Sequence, residues 1–566
     1  MFLKTLRFVF IYFFSALIIL SCETTVVIRP PPDNLEEYPI QQQLSEGITE
    51  EVRSLTETGI LPSMLRAIEL IRSRDLAGVE FGRMMIGINT MLIRFIYHDS
   101  VVRLPAIDLP QTHNYTRIIR ETERGNYVRP LENSTDFFEH ILPFLAINDQ
   151  TGQDIFPSVF GDLEKAALLR PNSVVPHYFR GLLYERIGQY VSAEAAFNQA
   201  YEISNECYPA LTGIARVRRL AGNLEDAIAI YSDLTIRYPD SLYIKKELAS
   251  SLYQNRDWAR ALPAIEEILL TEPRNGDFLL MRAFILLERG QFSQSNAVLD
   301  SYASINPNNR DYLYMRARIQ VEGSRNRESA LNYLRSILRT SPNDEEALIL
   351  AAGLLMESQR PVDQAEAREF LGRLQQTSGS SISVLSLSLR DAVQRENWQQ
   401  AQDYLNRILT QRRTIQDLID GYNIERRLGN NARALAYARE LYESNTANNE
   451  YAAIYVSALI DNNNRTEASR LIETRLAASL TSTLRAQFFY LRSRLQTNEE
   501  AALGDLRSSL FEDPRNLDAL IAMFEIYHSR RDERRAVYYL RQALAISPDN
   551  PALRRYEIEY APLLRN

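Results

Sequence analysis

The sequence predicts an all-α protein, an α-solenoid in which helix-turn-helix repeats are stacked in a row. Three columns of residues recur with a period of 34 residues, and each column has a physical reason. Small residues in the first helix of a repeat let two helix axes approach closely, and they are Gly181, Ala215, Ala249, Ala283 and Ala317. Small residues in the second helix serve the packing against the next repeat, and they are Ala193, Ala227 and Ala261. Prolines end the second helix because they lack an N–H and clash with the preceding turn, and they are Pro239, Pro273 and Pro307.

One repeat carries the pattern most completely, the unit from Ser173 to Asn205. It contains Gly181 and Tyr184 in its first helix, Gly188 and Tyr190 at its turn, and Ala193, Phe197 and Ala200 in its second helix. This pattern resembles the tetratricopeptide repeat family. The phase weakens where the segment 375–381 ends a repeat without proline. It recovers through Trp398, Ala401 and Leu405, and it is clear again between Ala502 and Ala536. We expect about eleven repeats over residues 173–550, and the resemblance implies a right-handed superhelix.

The bulk composition narrows the class of protein. With 45% hydrophobic and 24% charged residues, the chain is typical of an ordered protein rather than of a disordered or membrane-spanning one. A solenoid grows by stacking, so 566 residues need no division into several globular domains. The net charge is −8, whereas nonspecific nucleic-acid binding needs a positive field to displace counterions. We therefore expect no nucleic-acid partner.

The first 22 residues have the pattern of an export signal. Lys4 and Arg7 are followed by an apolar run of 13 residues, which is too short for a transmembrane helix of about 20. The residues Ile19-Leu20-Ser21-Cys22 resemble the lipobox of bacterial lipoproteins, although Leu20 is bulkier than usual at its position. This resemblance predicts a signal peptide at residues 1–21 and a lipid on Cys22. An ordinary secretory peptide and an uncleaved anchor are the alternatives.

Residues 22–39 contain three consecutive prolines, Pro30 to Pro32, which favour an extended segment that packs poorly. We interpret this segment as a tether between the lipid and the folded body, and a proline-rich ligand is the alternative. The predicted location is the periplasmic side of a bacterial cell envelope, anchored to the inner or the outer membrane.

Residues 40–172 are predicted to form a helical N-terminal cap that includes one degenerate repeat. A helix start is expected at Leu61-Pro62-Ser63, and the apolar stretch 84–97 is predicted to be a buried helix. An apolar surface for a partner is the alternative for that stretch. We interpret residues 103–130 as an irregular connection, and the segments 137–147 and 160–171 as the degenerate helix pair. Residues 551–566 are expected to supply a capping helix with a polar outer surface.

The sequence has no pattern for a cofactor, a metal or a catalytic centre. The five histidines lack the spacing of metal ligands, and Cys207 is the only cysteine besides Cys22. His98-Asp99-Ser100 and His113 contain the residue types of a catalytic triad, but adjacent positions on one segment do not give its geometry. We therefore predict a protein that is not an enzyme and binds no cofactor.

The tetratricopeptide resemblance implies a groove lined by certain positions of each first helix. In this sequence those positions form a mostly basic and aromatic ladder on an acidic protein. The candidate partner-binding residues are Tyr178, Arg216, Arg219, Lys246, Tyr253, Tyr314, Arg318, Arg390, Asn423 and Arg426, with Glu185, Phe284 and Arg494 at related positions. Arginine suits carboxylates and tyrosine gives contact area at low entropic cost, so an acidic peptide or a partner strand would fit. The alternative is that these are ordinary solvated helix residues, half of them paired with neighbouring carboxylates.

Together these observations predict a membrane-anchored scaffold that holds protein partners in a long groove, in envelope assembly or in a cell-wall or secretion complex. A solute-handling accessory lipoprotein of a transporter is the first alternative, and it would need an enclosed pore or pocket. An enzyme with a site in residues 40–172 is the second alternative, and it would need polar side chains that converge in a cleft there. The sequence does not predict the oligomeric state.

Overall fold

The computed structural model describes residues 46–100, 102–124, 126–131, 133–147 and 153–564. The predicted signal peptide at 1–21, the lipidated Cys22 and the tether at 22–39 lie outside these residues. The described residues form helices, with no β-strand among them, which confirms the predicted all-α class. Within the described ranges, no helix combines the length and the apolar character that crossing a membrane requires.

Six α-helices precede the repeats. They are α1 (Glu46–Thr58), α2 (Leu61–Ser73), α3 (Glu80–Ile96), α4 (Asn114–Glu123), α5 (Phe137–Ile141) and α6 (Phe156–Leu169), with two short 3-10 helices at Leu142–Ala146 and Gln153–Ile155. The predicted helix start at Leu61 is confirmed. Pro62 lies in the first turn of α2, where its missing N–H removes no hydrogen bond of the helix.

Helix α3 is the buried helix that the apolar stretch 84–97 predicts. Ile88, Leu92 and Ile93 are fully buried, in a core that continues into the helices of the first repeats. Asn89 is buried with them, and its amide donates hydrogen bonds of 2.7 Å to the Thr56 hydroxyl and to the Met85 carbonyl. This helix therefore fixes the N-terminal region to the repeats instead of presenting an apolar surface.

The segment 103–130 differs from its prediction because it contains α4. Tyr115, Ile118 and Ile119 are buried along one side of that helix, at helical spacing. Prolines on both sides of the helix suggest a loop throughout, and the helical pattern of only ten residues is short beside them. The prediction of an irregular connection is wrong over α4 and holds for the extended residues before it.

Between Val175 and Ile546 the described chain forms eleven pairs of helices, each with a first helix, A, and a second helix, B. The A helices are α7 (Val175–Arg186), α9 (Tyr208–Leu220), α11 (Leu242–Gln254), α13 (Gly276–Glu288), α15 (Arg310–Glu322), α17 (Glu345–Met356), α19 (Ile382–Gln394), α21 (Ile415–Arg427), α23 (Asn449–Asp461), α25 (Ser482–Ser493) and α27 (Leu517–Ser529). The B helices are α8 (Tyr190–Ile203), α10 (Leu224–Arg237), α12 (Trp258–Thr271), α14 (Phe292–Tyr302), α16 (Arg327–Thr340), α18 (Pro361–Ser378), α20 (Trp398–Leu409), α22 (Asn431–Ser444), α24 (Arg465–Leu476), α26 (Glu499–Glu512) and α28 (Glu533–Ile546).

The chain divides into two compact units, unit 1 up to Pro307 and unit 2 from Asn308 onward. Within each unit, each helix of these pairs packs on its neighbours in the chain, in sequence order. This arrangement is the predicted α-solenoid. The right-handed superhelix stays a prediction.

The small-residue columns lie where neighbouring helices approach most closely. The alanines of both columns are fully buried, at Ala193, Ala215, Ala227, Ala249, Ala261, Ala283 and Ala317. Gly181 and Gly213 both face the ring of Phe197, and an added Cβ would lie 2.5 Å from the ring at Gly181 and 2.9 Å at Gly213. One phenylalanine from a B helix thus fills the space between two successive A helices, and neither glycine can be enlarged without moving a helix.

The turns between the two helices of a pair share one backbone device. In nine of the eleven turns a single residue has positive φ, and these residues are Gly188, Gly222, Arg256, Gly290, Arg325, Glu396, Gly429, Asn463 and Arg531. Glycine adopts this conformation without steric cost. Five of the nine turns carry a residue with a side chain there.

The C-terminal segment forms two helices rather than the one capping helix expected over 551–566. They are α29 (Pro551–Glu559) and α30 (Ala561–Leu564), and Tyr560 separates them. The Tyr560 side chain is buried, with its hydroxyl 2.6 Å from Nδ1 of His528 and its ring 6.3 Å from that of Phe524. Burial of this tyrosine against α27 accompanies the break.

Candidate functional site

The candidate partner-binding residues all lie on A helices. We call the surface formed by the outward sides of the A helices the A-helix face. In unit 1 the candidates lie on α7, α9 and α11, and in unit 2 they lie on α15, α19 and α21. The structure gives the two sets different surroundings.

In unit 1 the N-terminal region itself covers part of the A-helix face. After α3 ends, residues 97–100 form a tight turn, here called the docked turn, closed by a 2.9 Å hydrogen bond from the Ser100 amide to the Tyr97 carbonyl. The Asp99 carboxylate accepts a hydrogen bond of 2.6 Å from the Tyr208 hydroxyl and another from the Ser241 hydroxyl. Tyr208 begins α9 and Ser241 caps α11, so the docked turn bridges two successive A helices.

The neighbour of Asp99, His98, lies against the same face. Its ring meets the Tyr243 ring edge-on, with the centroids 4.7 Å apart. The His98 side chain is partly exposed, but loss of water around its ring lowers its pKa below the ordinary value of 6.5. The carboxylates of Asp99 and Glu247 oppose this shift, and the Arg216 guanidinium adds to it. The imidazole in the docked turn is therefore neutral at pH 7.

Arg216 is held within the molecule. Its Nε and Nη2 donate to the two carboxylate oxygens of Glu185, both at 2.6 Å, and its Nη1 donates to the Tyr243 hydroxyl at 3.0 Å. Only 18% of the Arg216 side chain is exposed. Burial raises the pKa of Tyr243 to about 12, so its hydroxyl stays protonated beside the arginine. Arg216 already has the bidentate carboxylate that the sequence analysis assigned to a partner.

The structure disagrees more strongly with the assignment of Tyr178 and Arg219 to a partner-binding surface, because it buries both side chains. Tyr178 is 4% exposed and Arg219 is 7% exposed, and Arg219 pairs with Glu247 at 3.1 Å. A docked partner cannot reach side chains at this depth. Helical spacing placed them on the correct helices, but neighbouring helices pack over them. The Tyr178 ring lies 5.6 Å from that of Phe197 on α8, and Arg219 lies against Glu247 of α11.

Lys246 and Tyr253 are partly exposed on α11. The Lys246 ammonium lies 2.7 Å from the Glu272 carboxylate. The Tyr253 ring joins an aromatic cluster, with its centroid 5.5 Å from that of Trp258 and 5.7 Å from that of Phe284. These contacts fit the interpretation of paired, partly solvated helix residues.

In unit 2, Tyr314 and Arg318 on α15 also contact neighbouring side chains. The guanidinium of Arg310 lies over the Tyr314 ring, 4.8 Å from its centroid. Burial raises the pKa of Tyr314 to about 12. Arg318 pairs with Glu322 one helical turn away, at 2.7 Å.

The remaining candidates form a different kind of surface, which we call the basic ladder: Arg390, Asn423, Arg426 and Arg494. Arg390 and Asn423 are exposed, and no hydrogen bond or ion pair engages either side chain among the residues that the structure describes. Arg426 and Arg494 share one carboxylate, since Nε of Arg426 lies 2.9 Å from Oδ2 of Asp461 and Nη2 of Arg494 lies 2.6 Å from Oδ1.

The basic ladder has more positive charge than its own carboxylate can neutralise. Two guanidiniums share the Asp461 carboxylate, and 47% of the Arg426 side chain and 26% of the Arg494 side chain are exposed. The third guanidinium, that of Arg390, has no carboxylate partner among the described residues. Each guanidinium has five N–H donors. The surface can therefore accept further carboxylates without releasing those it already holds.

The candidate catalytic histidines do not share a site. His98 contacts Tyr243, whereas the His113 ring lies 4.5 Å from that of Tyr115 and its Nδ1 accepts a hydrogen bond from the Tyr115 amide at 3.2 Å. Within the described ranges, no group of three or more His, Cys, Asp or Glu side chains is placed to hold a metal ion. Cys207 is a buried free thiol whose pKa burial raises to about 11.

The solute-handling alternative needs an enclosed pore or pocket, and two surface cavities are the places to look for one. One of about 460 Å³ lies between α2 and residues 103–105. The other, of about 360 Å³, lies between α20 and α22, where Arg413 and Glu440 pair at 2.5 Å. No candidate partner-binding residue lines either cavity.

Sequence reasoning missed the hydroxyl groups that hold the docked turn. Tyr208, Ser241 and Tyr243 are outside the positions carried over from the family, and Asp99 was considered only as a member of a triad. One signal was present in the sequence: His98-Asp99-Ser100 is a polar triplet directly after the most apolar helix. Such a triplet next to a buried helix needs polar partners from elsewhere in the fold.

The comparisons with known proteins identify the repeat. A family model described as tetratricopeptide repeat matches residues 188–248 and 252–319. No curated protein matches the sequence of this chain. Among solved structures, the chain is similar to YrrB, a TPR protein with an unusual peptide-binding site, at 17% identity and a TM-score of 0.29, over 33% of this chain and 95% of that one.

Two further solved structures show similar relationships. PilW, a type IV pilus biogenesis factor, is 18% identical with a TM-score of 0.33, over 37% of this chain and 94% of that one. A Naa15/Naa10 complex bound to HypK-THB matches at 12% identity with a TM-score of 0.27, over 92% of this chain and 96% of that one. TM-scores this low carry no argument about function.

The family assignment rests on the match of the repeat model and on the helix pairs on which it falls. The matched residues run from the turn before α8 into α15, through pairs whose small-residue columns are fully buried. The chain therefore contains tetratricopeptide repeats, matched over residues 188–248 and 252–319.

Proposed function

We propose that this chain is a lipid-anchored scaffold on the periplasmic side of a bacterial membrane, inner or outer, that holds an acidic extended segment of a partner protein against the basic ladder. Tetratricopeptide repeat proteins are protein-interaction scaffolds. The proposal adds the anchor, the compartment and the chemistry of the bound segment, and it includes no catalytic step.

The observation that carries the proposal is the exposed excess of arginine on α19, α21 and the end of α25. Among the residues that the structure describes, Asp461 is the only carboxylate paired with Arg390, Arg426 or Arg494. Guanidinium groups bind carboxylates with two parallel hydrogen bonds, which fixes position as well as charge. The arginines lie on α19, on α21 and directly after α25, so they are spread along the stack, which suits an extended chain with acidic residues.

The anchor rests on the sequence. The apolar run of 13 residues and the tetrapeptide that ends in Cys22 resemble a lipoprotein signal. Lipid chains on Cys22 would hold the protein at the membrane surface, and each buried methylene contributes about 0.8 kcal/mol. The proline-containing segment 22–39 would then separate the lipid from the folded units.

Binding of a partner at the basic ladder is tested by site-specific photo-crosslinking in bacterial cells that make the full chain. A photo-reactive residue at Asn423 is expected to give an adduct whose crosslinked peptide is rich in Asp and Glu. The same residue at Gln399, which is exposed on the B helix α20, serves as the control and should give no such adduct.

A charge-reversal series separates specific contacts from general charge. The triple variant Arg390→Glu/Arg426→Glu/Arg494→Glu should abolish the Asn423 adduct. The matched variant Arg470→Glu/Arg507→Glu/Arg534→Glu changes the same charge at exposed positions on B helices of the same unit and should preserve it. Equal adduct yields from both triple variants would refute the role of the basic ladder.

The anchor has its own test. Cys22→Ala should move the protein from the membrane fraction to the aqueous fraction and remove the mass of the acyl chains from the mature N-terminus. Membrane association and mass that are unchanged in Cys22→Ala would exclude a lipid at that residue and leave the basic ladder unaffected.

A further inference from the structure

We propose that the cavity between α2 and residues 103–105 is a binding site for a carboxylate carried on an apolar chain. The cavity has a volume of about 460 Å³, which is within the range of small-ligand sites in proteins. It lies in the N-terminal region, apart from the A-helix face, and no candidate partner-binding residue lines it.

The inner wall of the cavity is apolar. Leu65 and Ile68 contribute from α2, and Leu104 and Pro105 contribute from the extended segment that crosses it. Ile68 is 4% exposed, so it forms part of the core as well as the base of the cavity. An apolar chain of a ligand would remove these side chains from water, which is favourable in proportion to the area covered.

The segment on the far side of the cavity is fixed in place. Leu109 packs directly on Gly87 of α3, where a Cβ would lie 2.3 Å from Leu109 Cδ2. Asp108 lies 3.8 Å from the Arg83 guanidinium, and the Pro110 carbonyl accepts a 2.7 Å hydrogen bond from Thr116. The gap beneath residues 103–105 is therefore set by contacts on α3 and α4.

The rim of the cavity is cationic. Arg72 and Arg103 line it and both are exposed. Neither side chain makes a hydrogen bond or an ion pair within the ranges that the structure describes. The one carboxylate in the lining, Glu69, lies 3.3 Å from the Arg66 guanidinium outside it. The Ser73 hydroxyl donates to the Leu70 carbonyl at 3.1 Å.

The apolar wall and the cationic rim together select the class of ligand. A cation would meet two arginines, and an uncharged apolar molecule would leave both guanidiniums without a partner. A carboxylate can accept from Arg72 and Arg103 while its apolar chain covers Leu65, Ile68 and Leu104. A peptide C-terminus with an apolar last residue and a free fatty acid both have this chemistry.

The test is calorimetric titration of the purified full chain with octanoate, octanamide, and the peptide Gly-Gly-Leu as free acid or as amide. Octanoate is expected to bind with a Kd of about 1 mM or tighter, in keeping with its size. Octanamide, which keeps the chain and loses the charge, should bind at least about tenfold more weakly. Tighter binding of the peptide acid than of octanoate identifies a protein C-terminus as the source, and the reverse order identifies a fatty acid.

Two variants locate the site. Arg72→Gln/Arg103→Gln should weaken octanoate binding by about tenfold or more, because both charge-assisted contacts are lost. Arg94→Gln/Arg120→Gln removes the same number of charges at exposed positions of α3 and α4 outside the cavity, and should change the Kd less than about twofold. The proposal is overturned if octanoate does not bind, if octanamide binds equally well, or if the two double variants behave alike.

Discussion

The arginines of the A-helix face have different surroundings in the two units. On α9 of unit 1, Arg216 donates to both oxygens of Glu185, and Arg219 lies 7% exposed beside Glu247. In unit 2, Arg390 is exposed without a carboxylate among the described residues, and Arg426 and Arg494 share one. The arginines of unit 1 therefore stabilise the fold, whereas those of unit 2 have donors left for a bound partner.

The docked turn accounts for much of this difference. In unit 1 it occupies the face where α9 and α11 begin, and it brings Asp99 and His98 with it. Water is thereby removed around Arg216 and Tyr243, and a buried ion pair is kept only if its hydrogen bonds are complete. The comparison teaches that the same helical position can serve packing or binding, depending on what the rest of the chain places over it.

The largest expected effect is on the buried pair of unit 1. Glu247→Ala leaves the Arg219 guanidinium without its carboxylate at depth, and it also removes an acceptor 3.3 Å from the Tyr231 hydroxyl. We expect the free energy of unfolding to fall by about 3 kcal/mol. The measurement is the urea-unfolding curve of the full chain.

The matched change in unit 2 is Asp461→Ala. It also removes a carboxylate from between arginines, but those arginines can turn into solvent, so the expected loss is about 1 kcal/mol or less. Similar losses of unfolding free energy for Glu247→Ala and Asp461→Ala would contradict the distinction between the structural arginines of unit 1 and the available arginines of unit 2.

The second prediction concerns the docked turn itself. Asp99→Ala removes the acceptor for the Tyr208 and Ser241 hydroxyls. Because both hydrogen bonds are only partly buried, the hydroxyls can bind water instead, and we expect a net loss of about 1.5 kcal/mol. We expect hydrogen exchange of the turn and of the first turns of α9 and α11 to accelerate by at least about tenfold. Peptides from α21 and α25 report whether the effect stays in unit 1. Unchanged exchange in the turn would mean that it does not depend on Asp99.

The third prediction is a pH dependence in unit 1. Because the pKa of His98 is lowered in the folded state, the docked turn favours the neutral imidazole. Its contribution to stability is fully present above pH 6.5, the ordinary value, and is lost as the pH falls through the lowered pKa. Hydrogen exchange in the turn, corrected for intrinsic rates, should be faster at pH 5.5 than at pH 7.5.

The control for this experiment is His98→Phe, which keeps an aromatic ring beside Tyr243 and cannot titrate. Exchange in this variant should change little between the two pH values, which both lie above the range where ordinary carboxylates titrate. An equal pH response in His98→Phe would assign the effect to another group.

The smallest expected effect is that of Arg390→Glu. The Arg390 side chain is exposed, and no ion pair holds it within the described part of the chain. The free energy of unfolding should change by less than about 0.5 kcal/mol, as for ordinary surface substitutions. A loss above about 1 kcal/mol in urea unfolding would show that Arg390 is already engaged and cannot be counted as free for a partner.

The repeat pattern predicted the fold because packing imposes it residue by residue. Gly181 had to be small where Phe197 enters, and the buried alanines of both columns follow from the same close approach of helices. The helix α4 was missed because its apolar pattern is short and flanked by prolines. The break at Tyr560 was missed because it depends on His528 and Phe524, about thirty residues earlier.

The candidate site was less predictable than the fold. Spacing placed Tyr178, Arg216 and Arg219 on the correct helices, but burial depends on neighbours that are distant in sequence. The docked turn reaches Ser241 from 142 residues away. No local pattern encodes a contact of that separation. Arg390 and Asn423 are exposed on their A helices, and their role in partner binding stays a prediction.

The turns between paired helices bear on how this protein could be made more robust. At Arg256, Arg325, Glu396 and Arg531 the backbone takes a left-handed conformation that costs a residue with a side chain about 1–2 kcal/mol. Glycine would remove that cost and add back about 0.5–1 kcal/mol of chain entropy, a net gain at each turn. Because a solenoid sums the contributions of its neighbouring modules, such replacements could raise its heat resistance while leaving every docking residue untouched.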